Sequence, residues 1–245
     1  MIVATHQPIF LPWPGFFFKA MKADCMVLLD DVQFPQGRGW VNRNRLKNEQ
    51  GEMWLTVPVW KKGRGLQIIR KVEICNETDW RRKDLQSIRQ NYANAPYLKE
   101  YFPILKSIYR ENNHLLINLN INIIKFFWDA LGLKTELYLQ SELGVTGKST
   151  ELIINICKCL QADTYMTFPI VEKYLDVFHM NRSGIQIKFS SFHPPVYPQL
   201  WGEFIYNLST LDMLLNCGEK SRDIIRSESN ALNNSSSINL FKWIT

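Results

Sequence analysis

The sequence predicts an α/β domain with a doubly wound, mostly parallel sheet of the Rossmann type, carrying a β-hairpin extension and a helical insertion. Two observations support this prediction. The apolar segments at 2–6, 25–32, 164–168 and 185–189 are largely continuous instead of alternating with polar residues, which is typical of strands buried on both faces. Helical patterns stand between them, and this alternation of strand and helix indicates a parallel sheet covered by helices.

The first three elements form a βαβ unit. IVATH at 2–6 is a short buried strand, residues 15–22 form a helix after two prolines, and the apolar strand at 25–32 ends in acids. Ligands of open α/β sheets bind outside the carboxyl ends of the strands. The residues that follow these two strands are therefore the first candidates for a site.

The middle of the chain departs from this alternation. WLTVPV at 54–59 and LQIIRKVEI at 66–74 flank the basic turn KKGRG, which predicts a β-hairpin over about 53–75. Three helical patterns follow at 79–92, 97–110 and 115–131. We place a helical insertion over about 79–132 on this basis.

The second half returns to strands and helices. Apolar TELYL and TYMTF are predicted strands, and helical spacing of apolar residues stands after each of them. The predicted elements are a strand at 135–139, a helix at 149–160, a helix across 170–180 and a final helix near 209–216.

Length and composition fit one domain. The 245 residues are 46% hydrophobic, which suits a single large core over residues 1–226. The polar run SESNALNNSSS predicts a linker and tail at 227–245. The five cysteines are odd in number and scattered, as expected of free thiols in a reducing compartment. Since the sequence has no signal-peptide pattern and no apolar run of roughly 18 residues, we expect a cytoplasmic protein without a transmembrane segment.

Charge and motifs narrow the function classes. The net charge of +6 is compatible with an anionic small molecule, a membrane surface or nucleic acid, but acids interrupt the basic residues throughout, which does not favour nucleic acid. The chain lacks G-x-S-x-G, H-E-x-x-H and G-x-G-x-x-G, the motifs of serine hydrolases, zinc proteases and Rossmann dehydrogenases. It also lacks clustered Cys and His, so no metal site is predicted.

Polar residues follow the first two strands. His6 and Gln7 come at the end of the first, and Asp30 and Asp31 end the second. Since neighbouring parallel strands end at one edge of a sheet, we expect these side chains to face a ligand crevice. His6, Asp30 and Asp31 are candidate catalytic residues, and Gln7 is a candidate substrate contact. A structural histidine and loop-capping carboxylates are the alternative interpretations.

The loop GRGWVNRNRLK at 37–47 supplies candidate anion-binding side chains. Arginine binds phosphate and carboxylate through paired hydrogen bonds, and the asparagines that alternate with it can orient such a ligand. The candidates are Asn42, Arg43, Asn44 and Lys47. The alternatives are a solvated basic loop and a patch that contacts nucleic-acid phosphates.

Two later segments add candidates. Lys148 precedes a predicted helix whose free N–H groups can bind phosphate, although the spacing is not that of a P-loop and a helix N-cap explains the same residues equally well. The proline-stiffened loop HPPVYPQLWGEF contributes His193, Tyr197 and Gln199, because rigid loops with aromatic side chains commonly line pockets.

Taken in order, HQPIFLPWPGFFFKAMKAD, VLLDDVQF, VNRNRLK, WLTVPV and HPPVYPQLWGEF resemble the WbqC-like protein family from residue 1 to about 218. The family pattern falls on the candidates above, except Lys148, and adds Lys19 and Tyr174 to the substrate- or phosphate-binding set. The sequence departs from the pattern at residues 167–169, where Thr-Phe-Pro stands in place of a Ser-Gly turn.

The resemblance implies a role in bacterial surface-polysaccharide biosynthesis, including O-antigen. It implies a transferase that attaches an acyl or aminoacyl group, for example from acyl-coenzyme A, to an amino sugar or sugar nucleotide, with His6 as general base and Arg43 and Lys47 on the anionic donor. A fold-level similarity to nucleotidyltransferases leaves an ATP- and magnesium-dependent nucleotidyl- or adenylate-forming enzyme as an alternative. A non-catalytic glycan-binding scaffold is the third hypothesis. The oligomeric state stays open.

Overall fold

The computed structural model describes residues 1–37, 39–111 and 113–227. It confirms the predicted α/β class. Seven strands, numbered along the chain, are β1 (Ile2–His6), β2 (Cys25–Leu28), β3 (Arg43–Asn48), β4 (Gly51–Thr56), β5 (Glu136–Leu139), β6 (Thr164–Thr167) and β7 (Gln186–Phe189). Eight helices are α1 (Pro14–Met21), α2 (Trp80–Asn91), α3 (Leu98–Arg110), α4 (Leu116–Ala130), α5 (Ser149–Cys159), α6 (Val177–Arg182), α7 (Thr210–Cys217) and α8 (Lys220–Arg226).

The main sheet is parallel and has the order β5-β2-β1-β6-β7. His6 pairs with Leu28 on one side of β1, while Ala4 pairs with Met166 on the other. In chain order, β2 and then β5 are added on one side of β1, and β6 and then β7 are added on its other side. This reversal makes the gap between β1 and β6 the switch point of the sheet, where open α/β folds bind ligands.

Helices cover both faces of this sheet, which explains why its strands are apolar throughout. Along β2, Met26 and Leu28 belong to a core shared with α1, α4 and α7, whereas Cys25 and Val27 pack into a second core with α5 and α6. Successive side chains of a strand point to opposite faces. Both sets are buried here, so the strand shows no polar alternation.

The three successive helices α2–α4 confirm the helical patterns at 79–131. They pack into the larger of the two cores: the Phe127 ring of α4 lies 5.4 Å from the Phe17 ring of α1. Within the described residues, no helix is both long and apolar enough to cross a membrane.

The hairpin prediction was wrong in its position. The antiparallel pair is β3 with β4, in which Arg43 pairs with Thr56 and Asn48 with Gly51. Gly51 has a φ of 114°, which suits the tight turn because glycine has no Cβ. The basic loop predicted at 37–47 therefore becomes a strand in its second half.

Residues 66–74, predicted as the second strand of that hairpin, form instead a 3₁₀ turn at Ile69–Lys71 and isolated bridges. Ile69 and Val72 are fully buried in the larger core, and the Val72 carbonyl accepts a hydrogen bond from the Leu116 N–H at 2.9 Å. The prediction that this apolar segment is buried is confirmed, but the segment packs against a helix and not against a strand.

Two further boundaries differ from the predictions. The helix predicted across 170–180 divides into a 3₁₀ helix, Pro169–Tyr174, and α6, because the Asp176 carboxylate accepts the His179 N–H at 2.9 Å and begins a new helix. The strand predicted at 25–32 ends at Leu28. The sequence prediction missed α8 altogether. The proposed linker and tail at 227–245 lie outside the described residues, except for residue 227.

Candidate functional site

A crevice of about 1070 Å³ opens at the carboxyl ends of β1 and β6. Its polar inner wall comes from both strands and from α1. The residues that line this wall are Thr5, His6, Lys19, Tyr165 and Thr167. The volume is at the upper end of the range for small-molecule and cofactor sites, and the position is the switch point of the sheet.

Lys19 is the basic residue of the polar inner wall. It lies on α1, its side chain is 4% exposed, and its Nζ donates a hydrogen bond of 2.6 Å to the Thr5 carbonyl. The Nζ also lies 5.2 Å from the centre of the Phe168 ring. Burial lowers the pKa of Lys19 from 10.5 to about 7, because a charged amine loses its hydration there. An anion placed beside Lys19 would restore its charge.

His6 ends β1 on the same wall. Its Nδ1 lies 2.8 Å from the Gln7 carbonyl oxygen and its ring meets the Phe16 ring edge-on at 4.9 Å. A carbonyl only accepts hydrogen bonds, so Nδ1 carries the hydrogen and Nε2 is the accepting atom. Burial, and secondly the charge of Lys19, lower the pKa of His6 to about 3. The imidazole is therefore neutral at pH 7.

A hydroxyl pair crosses the switch point. Thr5 Oγ1 of β1 lies 2.9 Å from the Tyr165 hydroxyl of β6, and both side chains are buried. Burial raises the pKa of Tyr165, so this hydroxyl stays protonated and can donate. Apolar aromatic side chains also line the crevice, namely Trp13, Trp40, Phe168 and Phe192. Such faces stack on flat rings or on sugars.

Six of the predicted site residues line this crevice: His6, Gln7, Lys19, Asn44, Tyr174 and His193. Asn44 also holds the loop after β1 in place, because its Nδ2 donates hydrogen bonds to the carbonyls of Phe10 and Leu11 at 3.1 and 2.7 Å. The structure thus brings these residues to one crevice, and their contact with a ligand stays a prediction.

The two acids after β2 are placed elsewhere. Asp30 is 2% exposed and accepts from the Ser141 N–H at 2.9 Å and the Ser141 hydroxyl at 2.6 Å. Asp31 pairs with Arg70 at 2.5 Å. Neither lines the crevice. Their interactions tie loops together, as in the loop-capping alternative, because β2 ends two residues before Asp30.

The remaining residues of the basic segment are also engaged in the fold. The Asn42 Nδ2 donates to the Val57 carbonyl at 2.9 Å, and the Arg43 guanidinium lies 3.7 Å from the centre of the Trp54 ring. Arg43 is thus held on an aromatic face beside the crevice and does not line it. The pairing of β3 with β4, which the loop interpretation did not anticipate, brings the residues of both contacts together.

Lys47 belongs to a separate buried cluster. Its Nζ donates to Gln199 Oε1 at 3.2 Å and to the Glu203 carbonyl. In the same region the Asp212 carboxylate accepts from the hydroxyls of Tyr92 at 2.5 Å and Tyr197 at 2.9 Å. Tyr197 and Gln199 therefore fasten the proline-rich loop to the body of the protein and do not line the crevice.

Lys148 is exposed and directly precedes α5, but only its neighbour Ser149 lines the crevice. The sequence prediction missed Thr5, Tyr165 and Thr167. All three lie on strands predicted from apolar patterning. A hydroxyl near the carboxyl end of a predicted strand is the signal that could have identified Thr5 and Thr167, whereas Tyr165 is the second residue of β6 and carries no such signal. Among the described residues, no three His, Cys, Asp or Glu side chains are grouped to hold a metal ion.

Comparison with known proteins adds sequence relationships to this geometry. The model of the WbqC-like protein family matches residues 7–224, a range that contains every lining residue except Thr5 and His6. A protein of Mycobacterium tuberculosis (strain ATCC 25618 / H37Rv), named "Uncharacterized protein Rv1507c", is 33% identical over 226 residues, which cover 91% of this chain and 97% of that protein. No solved structure matches the chain.

Proposed function

The chain belongs to the WbqC-like protein family, and from this membership together with the crevice we propose that it is a transferase. It would attach an acyl or aminoacyl group to the amine of an amino sugar or sugar nucleotide during assembly of a bacterial surface glycan. The single observation that supports this best is the pairing of a buried lysine and a neutral histidine in one crevice at the switch point. Lys19 offers an anion contact there, and His6 offers a proton acceptor.

The shape and lining of the crevice support a nucleotide-bearing ligand. A diphosphate would sit against Lys19, while the base or sugar would stack on aromatic side chains such as Trp13 and Phe192. Arginine and lysine side chains commonly hold such anions. The donor site predicted on Arg43 and Lys47 moves to Lys19 in this proposal, because neither of the other two lines the crevice.

In the proposed reaction the acceptor amine attacks the carbonyl carbon of the activated acyl group. A C–N bond forms, the leaving group departs with the bonding electron pair, and the proton lost by the amine passes to Nε2 of His6. The ligand itself would make His6 a better base, because a bound anion offsets the charge of Lys19, which is one of the two effects that lower its pKa. The Tyr165 hydroxyl can donate to oxygen in the crevice.

The proposal is tested by ligand binding and product formation in parallel. Purified protein is screened by thermal shift with nucleoside diphosphate amino sugars, and amide product is sought by mass spectrometry after adding acyl-coenzyme A. Lys19→Met should abolish stabilisation by the sugar nucleotide, whereas His6→Gln should retain binding and lose product. Lys134→Met, an exposed lysine elsewhere, is the matched control. Product formation by Lys19→Met and His6→Gln at the wild-type rate would refute the assignment.

A nucleotidyl- or adenylate-forming enzyme is the second candidate, favoured by the placement of His6 at the switch point of a parallel sheet. Magnesium prefers carboxylate oxygens, yet no Asp or Glu lines the crevice within the described residues. A magnesium ion would therefore have to be held mainly by nucleotide phosphates. Stabilisation by ATP with magnesium and release of pyrophosphate, in the absence of acyl transfer, would favour this candidate.

A further inference from the structure

A second cavity, of about 520 Å³, lies between α2 and α3 and shares no lining residue with the crevice. Part of its lining is apolar, contributed by Leu85, Phe102 and Tyr109. Basic side chains from both helices line the rest, chiefly Arg89, Lys106 and Arg110. The cavity thus combines an apolar surface with several positive charges.

The three basic side chains are available to a ligand. Within the described ranges, none of Arg89, Lys106 and Arg110 makes a hydrogen bond or an ion pair to another residue. The other two arginines of the lining are already engaged. Arg82 pairs with Asp79, and Arg81 donates to Asn76 Oδ1 at 2.5 Å and to the Asn113 carbonyl at 3.1 Å.

The acids of the lining offset only part of these charges. Asp79 is paired with Arg82, and Glu111 Oε2 accepts hydrogen bonds from Asn122 at 2.5 Å and from Asn113 at 3.5 Å. Among the described residues, five basic and two acidic side chains line the cavity, so an excess of positive charge remains. Anions are drawn to such a site, and paired guanidinium groups bind phosphate or carboxylate with defined geometry.

A buried polar group beside the cavity has no partner. Tyr109 is fully buried, and among the described residues its hydroxyl has no hydrogen-bond partner. A buried hydroxyl without a partner destabilises the fold. Burial, and secondly the nearby Asp84 carboxyl, raise the pKa of Tyr109 well above its usual value. The hydroxyl therefore keeps its proton.

We propose that this cavity is a second binding site, for an amphipathic organic phosphate whose apolar part packs on Leu85 and Phe102 and whose phosphate contacts Arg89, Lys106 and Arg110. Both features are needed: inorganic phosphate would leave the apolar surface exposed, and a neutral amphiphile would leave the positive charges unpaired. The site is independent of the transferase crevice, with which it shares no residue.

The test measures the binding of n-octyl phosphate to the full chain by calorimetry. The ligand is kept below its critical micelle concentration. Inorganic phosphate supplies the charge without the apolar body, and octyl glucoside supplies the apolar body without the charge. The variant is the double substitution Arg89→Gln with Arg110→Gln. The control is Lys83→Gln with Lys99→Gln, which removes two exposed charges from the same helices outside the cavity lining.

Octyl phosphate should bind wild type and control alike and should bind the arginine variant at least about tenfold more weakly, because two charge-assisted contacts to the phosphate are lost. Equal binding to both variants, or equal affinity for inorganic and octyl phosphate, would overturn the proposal. A protein that sediments with phosphatidylglycerol vesicles but does not bind octyl phosphate saturably would also overturn the proposal. That result would favour binding of this face to a membrane surface.

Discussion

Replacing Lys19 by methionine should make the protein more stable while removing its anion site. The side chain is buried, and its pKa falls from 10.5 to about 7 on folding. At about 1.4 kcal/mol per pKa unit, keeping this lysine charged in the fold costs on the order of 5 kcal/mol. Methionine has a similar unbranched chain without charge and fills the same space.

The gain in stability expected for Lys19→Met becomes smaller as the pH rises. Between pH 7 and 10.5 the unfolded chain binds more protons at Lys19 than the folded chain, so the stability of the wild type rises with pH across this window. At pH 7 the penalty is about 4 kcal/mol. Losing the hydrogen bond to the Thr5 carbonyl offsets about 1 kcal/mol. Lys19→Met should therefore be about 3 kcal/mol more stable at pH 7 and nearly equal to wild type at about pH 9.5.

Urea unfolding followed by circular dichroism at several pH values between 6 and 10 measures this difference. Lys134→Met serves as the control, because this lysine is exposed and should show no such dependence. A difference between Lys19→Met and wild type that stays constant with pH, or a less stable variant at pH 7, would refute the burial argument. A stable variant without ligand binding would show that the lysine is retained for function at a cost in stability.

Three further predictions follow from the same contacts. Anion binding in the crevice at pH 7 should take up as much as about half a proton through Lys19, seen as a binding enthalpy of the wild type that differs between PIPES and Tris; equal enthalpies in the two buffers would contradict the lowered pKa of Lys19. Asp30→Ala should destabilise the fold by about 2–3 kcal/mol, since it leaves the Ser141 N–H unpaired, with sugar-nucleotide binding unchanged; a binding loss without a stability loss would indicate a ligand contact. Asp212→Ala should lower the urea midpoint by an amount equivalent to about 2–4 kcal/mol, because the Tyr92 and Tyr197 hydroxyls lose their acceptor; an unchanged midpoint would contradict the burial of this cluster.

Several predicted residues proved to hold the fold together, and their partners explain why. Asp30 binds Ser141, which lies 111 positions further along the chain. Lys47 binds Gln199 across 152 positions. A carboxylate after a strand has the same local sequence whether it faces a ligand or a loop. Only the position of the distant partner distinguishes the two cases.

The sequence by itself determined the strands of the main sheet and most of the helices, and it indicated the edge at which the crevice lies. Continuous apolar segments gave the strands of the main sheet, helical spacing gave α2–α5, and the position of His6 after β1 indicated the crevice. These features depend on local periodicity and on the burial that it encodes. The tertiary structure decided the pairing of β3 with β4, the return of the chain to place β6 beside β1, and the choice of Lys19, Thr5 and Tyr165 as the inner wall. Those outcomes depend on contacts between segments far apart in the chain, which local patterns do not specify.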